Sequence, residues 1–443
     1  MMNRVDGLLN FLHRSPTAFH AVDAAVDLLD GFQELRECDA WTLKAGGRYY
    51  VTRNRSSIIA FTMPEGAFDG FQLLASHSDS PTFKIKENAE LVVSGKYVRL
   101  DVEAYGGAIL SSWFDRPLSV AGRVMVRTPR GISTRLVNLD RDTLIIPNVA
   151  IHMNREINSG YKYNTACDTM PLWGSADSRD TFRKQLAEAL AVDVEDMVGF
   201  DLYLYNRMPG TVWGPQGDYV SVGRLDDLEC AYASLIALKE ARSIDGHVNV
   251  CCVFDNEEVG SGTKQGADST FLEDVLRRIM MATGHHQEDY LRALSSSFML
   301  SADNAHAVHP NHPELCDPVN QVQMNAGIVI KSNARQKYTT DAVSSAVFGQ
   351  ICASAGVPVQ YFANRSDMAG GSTLGNISGG HVSINTVDIG LAQLAMHSCY
   401  ETAGTRDLDY MVQGMTAFYE TDIRTHGDGE YELQALPPRE TEA

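Results

Sequence analysis

Residues 5–29 carry apolar side chains at helical spacing, Leu8, Leu9, Phe11 and Leu12 before a break at Ser15-Pro16 and Phe19 through Val26 after it. Short apolar runs at 49–51, 57–63 and 71–75 then have strand length and composition. From about Glu87 the character changes: the segments 91–93, 97–102, 118–120, 124–126 and 134–137 are β-like, closely spaced and punctuated by Gly and Pro. Residues 154–170 are polar and read as loop, 181–190 as a helix and 200–205 as a strand. Alternation then resumes, with a helix over 226–241, an apolar strand from His247 to Cys252, a helix over 269–283 and strands at 297–301 and 326–330. A helix over 342–355, strands at 359–362 and 381–384, and a closing helix over 389–402 complete the pattern. The chain after Thr425 is polar and reads as frayed. The pattern predicts a discontinuous α/β domain over 1–87 and 218–430, a β-rich domain inserted over 88–217, and a polar tail over 431–443.

Composition narrows the function classes. A 443-residue chain with 44% hydrophobic and 21% charged residues is globular and long enough for two domains. Its net charge of −19 argues against a general nucleic-acid or anionic-membrane binder, though not against a locally basic pocket. No apolar run is long enough to span a bilayer and the N-terminal residues lack a signal-peptide core, which predicts a cytoplasmic protein. The 8 cysteines are scattered without Cys-x-x-Cys spacing, so neither a zinc knuckle nor a redox pair is suggested.

The chemistry gathers where predicted strands end. Val253-Phe254-Asp255-Asn256-Glu257-Glu258-Val259-Gly260-Ser261 puts two adjacent glutamates at the end of a buried strand, where desolvation is costly without a cation. Adjacent residues on extended chain point opposite ways, so one carboxylate can bind a metal while the other faces substrate as a base; an exposed acidic turn is the commoner fate of such a pair. His77-Ser78-Asp79 places His and Asp on one face, as a metal-ligating His and its orienting carboxylate would be, or else forms a loop with an Asx turn before Pro81. Asp226-Asp227 opens a helix, as a cap or as a carboxylate bridging two metals. Asp303 ends an apolar strand, with His306 and His309 as further candidates behind it. His397 lies in an apolar stretch read as helix, where a lone His is usually a core residue. Together His77, Asp226, Glu258, Asp303 and His397 suit two Zn²⁺-like ions with Asp226 shared, leaving Glu257 unligated as the candidate general base. Open α/β sheets place their sites beyond the carboxyl ends of the strands, where His77, Glu258 and Asp303 fall. No Gly-x-Ser-x-Gly elbow, His-Glu-x-x-His helix or Walker loop occurs. Gly370-Gly371-Ser372-Thr373-Leu374-Gly375 reads either as an anion nest or as a tight loop beside a substrate channel.

In order along the chain, Ser76-His77-Ser78-Asp79-Ser80-Pro81, Arg224-Leu225-Asp226-Asp227-Leu228, Asp255-Asn256-Glu257-Glu258-Val259-Gly260-Ser261, the run from Ser301 to Pro310 and Ala395-Met396-His397-Ser398 resemble the M18 family of metalloaminopeptidases. The likeness covers nearly the whole chain and is weaker between 88 and 217. It implies a mixed-sheet α/β zinc-peptidase domain with an inserted β-rich dimerisation domain, two zinc ions per subunit that Co²⁺ or Mn²⁺ can replace, Glu257 as base and Asp79 as the support of His77. It also implies a cis peptide between Asp226 and Asp227, where aspartyl members commonly have Asn in second place. Dimers assembled into a tetrahedral dodecamer are implied, with His152 of Ile151-His152-Met153 acting in the neighbouring subunit's site. Lys331 in Val329-Ile330-Lys331-Ser332-Asn333 is implied to hold acidic substrate side chains, with Tyr338 and Gly371 lining the same pocket. The expectation is a di-zinc aminopeptidase that removes N-terminal residues, acidic ones by preference, from peptides. The competing readings are a related di-metal deacylase or carboxypeptidase, and a non-catalytic scaffold or cargo protein of the same fold.

Overall fold

A computed structural model describes residues 4–371 and 373–437. Its main sheet has nine strands in the order Gln33–Leu35, Arg48–Arg53, Ser57–Thr62, Gly246–Phe254, Phe68–His77, Phe298–Ala302, Asn385–Gly390, Ile328–Ser332 and Val359–Ala363. Gly246–Phe254, Phe68–His77, Phe298–Ala302 and Asn385–Gly390 lie side by side and parallel. Their register pairs Phe254 with His77, Ala75 with Ser301 and Ala302 with Ile389. Four chain segments separated by long stretches of sequence therefore end on one edge.

These strands are buried along nearly their whole length because helices cover both faces, as a parallel sheet requires. Helices Arg4–Arg14, Ala18–Leu28, Leu225–Glu240, Ala342–Ser354 and Asp407–Tyr419 close one face over Leu74, Cys251, Leu300 and Val387. Phe271–Ala282 and Gln287–Ser295 close the other over Leu73, Val250 and Met299.

A second sheet of six antiparallel strands has its own core around Phe83, Trp113, Val120 and Leu202. It runs from Thr82–Val93 to Met197–Asn206, so its first strand starts ahead of residue 88. Thr211–Trp213 instead joins Tyr219–Val222, Glu401–Gly404, Ala392–Leu394 and Ala305–His306 in a third sheet.

The C-terminal third departs from the sequence reading. Residues 389–402 are not a helix: they finish Asn385–Gly390, form Ala392–Leu394, turn, and form Glu401–Gly404. The apolar residues of this run, rich in Leu, Ala and Met, suit a helix by composition as well as a strand, and no Gly or Pro marks the turn at Ala395–Tyr400. The closing helix is Asp407–Tyr419, whose Leu408, Met411, Met415 and Phe418 are buried. The strand expected at 381–384 begins only at Asn385. Thr421–Gly427 and Glu430–Ala435 pair as a hairpin, with Ile423 opposite Leu433, where a frayed tail was expected. Gln287–Ser295, opened by a capping box of His286 and Asp289, is a further helix not expected from the pattern.

Leu300 is fully buried in the strand that leads to Asp303. Leu300→Ala is expected to cost about 2–5 kcal/mol of unfolding free energy, read as a lower denaturant midpoint with an unchanged m-value.

Candidate metal centre

The shared strand edge delivers the chemistry. His77 is the last residue of Phe68–His77, Asp303 follows Phe298–Ala302, and Glu257 and Glu258 occupy the 3₁₀ turn Glu257–Val259 just past Gly246–Phe254. Asn256 enters that turn with φ of 63°, a left-handed conformation that Asn tolerates. Asp226 and Asp227 open the helix Leu225–Glu240, and the bond between them is cis. His397 sits in the turn between Ala392–Leu394 and Glu401–Gly404, with φ of 67°, and not on a helix.

All five expected metal-ligating side chains come together. His77, Asp226, Asp227 and Asp303 form one group whose ligand atoms lie within 4.8 Å of one another, and Asp226, Glu258 and His397 form a second. Asp226 belongs to both, its Oδ1 3.7 Å from His77 Nε2 and its Oδ2 3.4 Å from His397 Nε2. His397 Nε2 is also 3.4 Å from Glu258 Oε1. Glu257 groups with His77 and Glu258, but not with Asp226.

Supporting residues fix these side chains. Asp79 Oδ1 accepts from the backbone N–H of Glu257 at 3.1 Å and lies 3.3 Å from His77 Nδ1. Its Oδ2 accepts from the Glu258 N–H at 3.2 Å and the Tyr105 hydroxyl at 2.7 Å. Gly107 O lies 3.0 Å from His397 Nδ1 and orients that ring. Glu401, absent from the sequence reading, is buried and accepts from the His397 N–H at 2.7 Å through Oε1 and from the Asp226 N–H at 3.1 Å through Oε2. The hint for Glu401 is one acid in an otherwise apolar stretch, four residues past a His. Asp227 was read only as the neighbour of Asp226; the structure puts it inside the cluster.

The site carries more negative charge than it can settle. Burial raises Glu257 to about 7 and Asp303 to about 6, and burial with Asp226 beside it holds Glu258 well above the carboxylate range. Burial opposes protonation of His397, but its bond to Asp226 and the charge of Glu258 outweigh that and lift it to about 10. Asp226 Oδ1, Asp227 Oδ1 and Glu258 Oε1 are buried without a hydrogen-bond partner. Carboxylate oxygens stranded in a dry space beside two imidazoles match the donor set of divalent cations such as zinc.

Lys331 is 1% exposed; its Nζ donates to the Asp303 carbonyl at 2.7 Å and lies 3.9 Å from Asp303 Oδ2. Tyr338 is buried with its ring 5.2 Å from that Nζ. Gly371 is exposed, and Ser372 of the same loop lies outside the described residues. His152 is exposed in a loop of the inserted sheet, flanked by exposed Ile151 and Met153, the latter 83% accessible. No helix among the described residues is long and apolar enough to cross a membrane.

Comparisons with known proteins agree with this geometry. Residues 11–419 match the family described as Aminopeptidase I zinc metalloprotease (M18). The chain is 48% identical over 424 residues to a probable M18 family aminopeptidase 2 of Clostridium acetobutylicum, covering 93% of this chain and 97% of that one. It is 47% identical over 422 residues to its counterpart in Clostridium novyi, with the same coverage. Among solved structures, Ape4 in its complex with Nbr1 superposes with a TM-score of 0.90 at 35% identity, over 93% of this chain and 84% of that one. The mApe1 dodecamer of S. cerevesiae gives 0.82 at 27% identity, over 94% and 95%.

Glu401→Ala removes the acceptor shared by the Asp226 and His397 backbone N–H groups. It is expected to weaken zinc retention by roughly 10–100-fold, measured as metal content after dialysis against a graded chelator series.

Proposed function

The chain belongs to the M18 family and is a metallo-aminopeptidase, a hydrolase of peptide bonds; on that premise we propose a di-zinc enzyme that removes acidic N-terminal residues from peptides in the cytoplasm. His77, Asp226 and Asp303 hold one ion and Asp226, Glu258 and His397 the other. The observation that carries this reading is Asp226, whose two oxygens face the two histidines and so belong to two metal-ready groups at once. The chemistry such ions supply is Lewis acidity, which acidifies a water and polarises a carbonyl.

The protein's own groups do the rest. Glu257 takes the proton of the attacking water and passes it to the leaving amine; its elevated pKa suits a group that must both accept and donate near neutral pH. Asp79 keeps Glu257 in position through its backbone N–H and holds the His77 ring. The dense carboxylates attract the protonated α-amine of a peptide, which distinguishes an aminopeptidase from a carboxypeptidase or deacylase. Lys331, with the Tyr338 ring beside it, supplies the positive charge for an Asp or Glu side chain, and Gly371 is assigned to the same pocket. The subunits assemble as dimers into a tetrahedral dodecamer, a reading supported by the dodecamer of the similar mApe1 of S. cerevesiae. The exposed His152, between exposed Ile151 and Met153, then reaches the neighbour's site.

Glu257→Gln is expected to lower kcat by about 10²–10⁴-fold with metal content unchanged; near-normal turnover would overturn its role. The base must be deprotonated, so kcat/KM falls as pH drops through an acid limb at or below about 7, the cations drawing it downward. Lys331→Met should reduce kcat/KM for Asp and Glu substrates far more than for Leu or Ala substrates in an aminoacyl-substrate panel. An even loss across the panel would assign Lys331 to holding Asp303 alone.

A further inference from the structure

The second residue of the Asp226-Asp227 pair has no role in the reading above, yet it is as deeply buried as any ligand. Asp227 is 0% exposed. Its Oδ2 accepts from the His77 backbone N–H at 3.1 Å. Its Oδ1 is buried with no N–H or O–H donor, the Cys230 thiol being the one weak donor beside the carboxylate. The nearby Cys230 thiol donates to Asn304 Oδ1 at 3.2 Å. The Asp227 side chain offers a ligand atom within 4.8 Å of those of His77, Asp226 and Asp303, while the group around His397 contains no such extra carboxylate. If Asp227 served only to anchor the His77 backbone, a neutral amide oxygen would do so without the desolvation cost of a second stranded oxygen.

We infer that Asp227 is a fourth protein donor at the metal position of His77, Asp226 and Asp303, and that the two positions are consequently unequal. This rests on the di-metal reading of the site. The inner position has three carboxylates and one imidazole in a dry setting; the outer has two carboxylates and His397, whose side chain is 30% exposed. More donors, more negative charge and less water make the inner ion tightly retained and the outer ion exchangeable. The oxygen-rich inner set also moves its preference toward harder ions such as Mn²⁺.

The test uses the full-length protein, stripped with chelator and titrated with Zn²⁺ against a chromophoric competitor, then with Co²⁺ while its visible spectrum is recorded. The wild type should bind in two classes. Asp227→Asn should weaken the tight class by roughly 10-fold or more, leave the weak class in place, and strengthen the visible Co²⁺ band of the first equivalent as a ligand is lost. Asp303→Asn serves as the reference, since it must weaken the tight class under the di-metal reading alone. If Asp303→Asn weakens it and Asp227→Asn changes neither affinity nor spectrum, the inference is overturned while the metal site stands. If the wild type binds neither ion, the di-metal reading fails first. Should Asp227→Asn not fold, the wild-type spectrum decides: a weak first-equivalent band from a higher-coordinate ion supports the inference, and the strong band of a tetrahedral ion overturns it.

Discussion

Crowding carboxylates into a dry space is the constraint on which the site depends. The shared strand edge carries His77, Asp303, Glu257 and Glu258, and the start of the helix Leu225–Glu240 adds Asp226 and Asp227. Buried carboxylates repel one another and lose hydration, and the protein answers this only in part. Asp79 and Glu401 accept backbone N–H bonds that hold the ligands in place but add negative charge of their own. Lys331 offsets some of it beside Asp303. What is left over is negative charge of the kind that favours a divalent cation among these donors.

Parallel packing makes that crowding feasible. Once Gly246–Phe254, Phe68–His77, Phe298–Ala302 and Asn385–Gly390 run the same way in register, their ends share one edge. Helices on both faces keep water from the strands and let Leu74, Val250 and Leu300 pack without gaps. Precision in the donor set is thus inherited from the sheet, and the loops beyond it need to be only a few residues long.

Much of this was legible in the chain. Mainly apolar strands that turn polar at their ends point to a buried sheet and its carboxyl edge, which is why His77, Glu258 and Asp303 stand out in the sequence. Glu257 and Glu258 share a group with His77, but only Glu258 also joins Asp226 and His397. The stretch around His397 is a turn between two short strands, but its Leu, Ala and Met composition with no Gly or Pro reads as a helix. The spacing of Leu408, Met411, Met415 and Phe418 is a clear helical signal, but extending the preceding segment to Thr402 conceals it. Glu401 and Asp227 were harder, since their importance lies in meeting backbone N–H groups and side chains far away in sequence, which no local pattern records.

The Tyr105 hydroxyl donates to Asp79, and the Asn256 side chain in turn donates to that hydroxyl at 2.9 Å. Tyr105 ends the strand Tyr97–Tyr105 of the six-stranded sheet, so that sheet contributes a wall to the cluster around Asp79. With Gly107 steering His397 from the same stretch, the two sheets are joined at the reacting centre by rigid polar links. A partner docking on the far side of the insert would therefore press on the peptidase geometry itself, and neither sheet is a detachable module that evolution or an engineer could exchange alone.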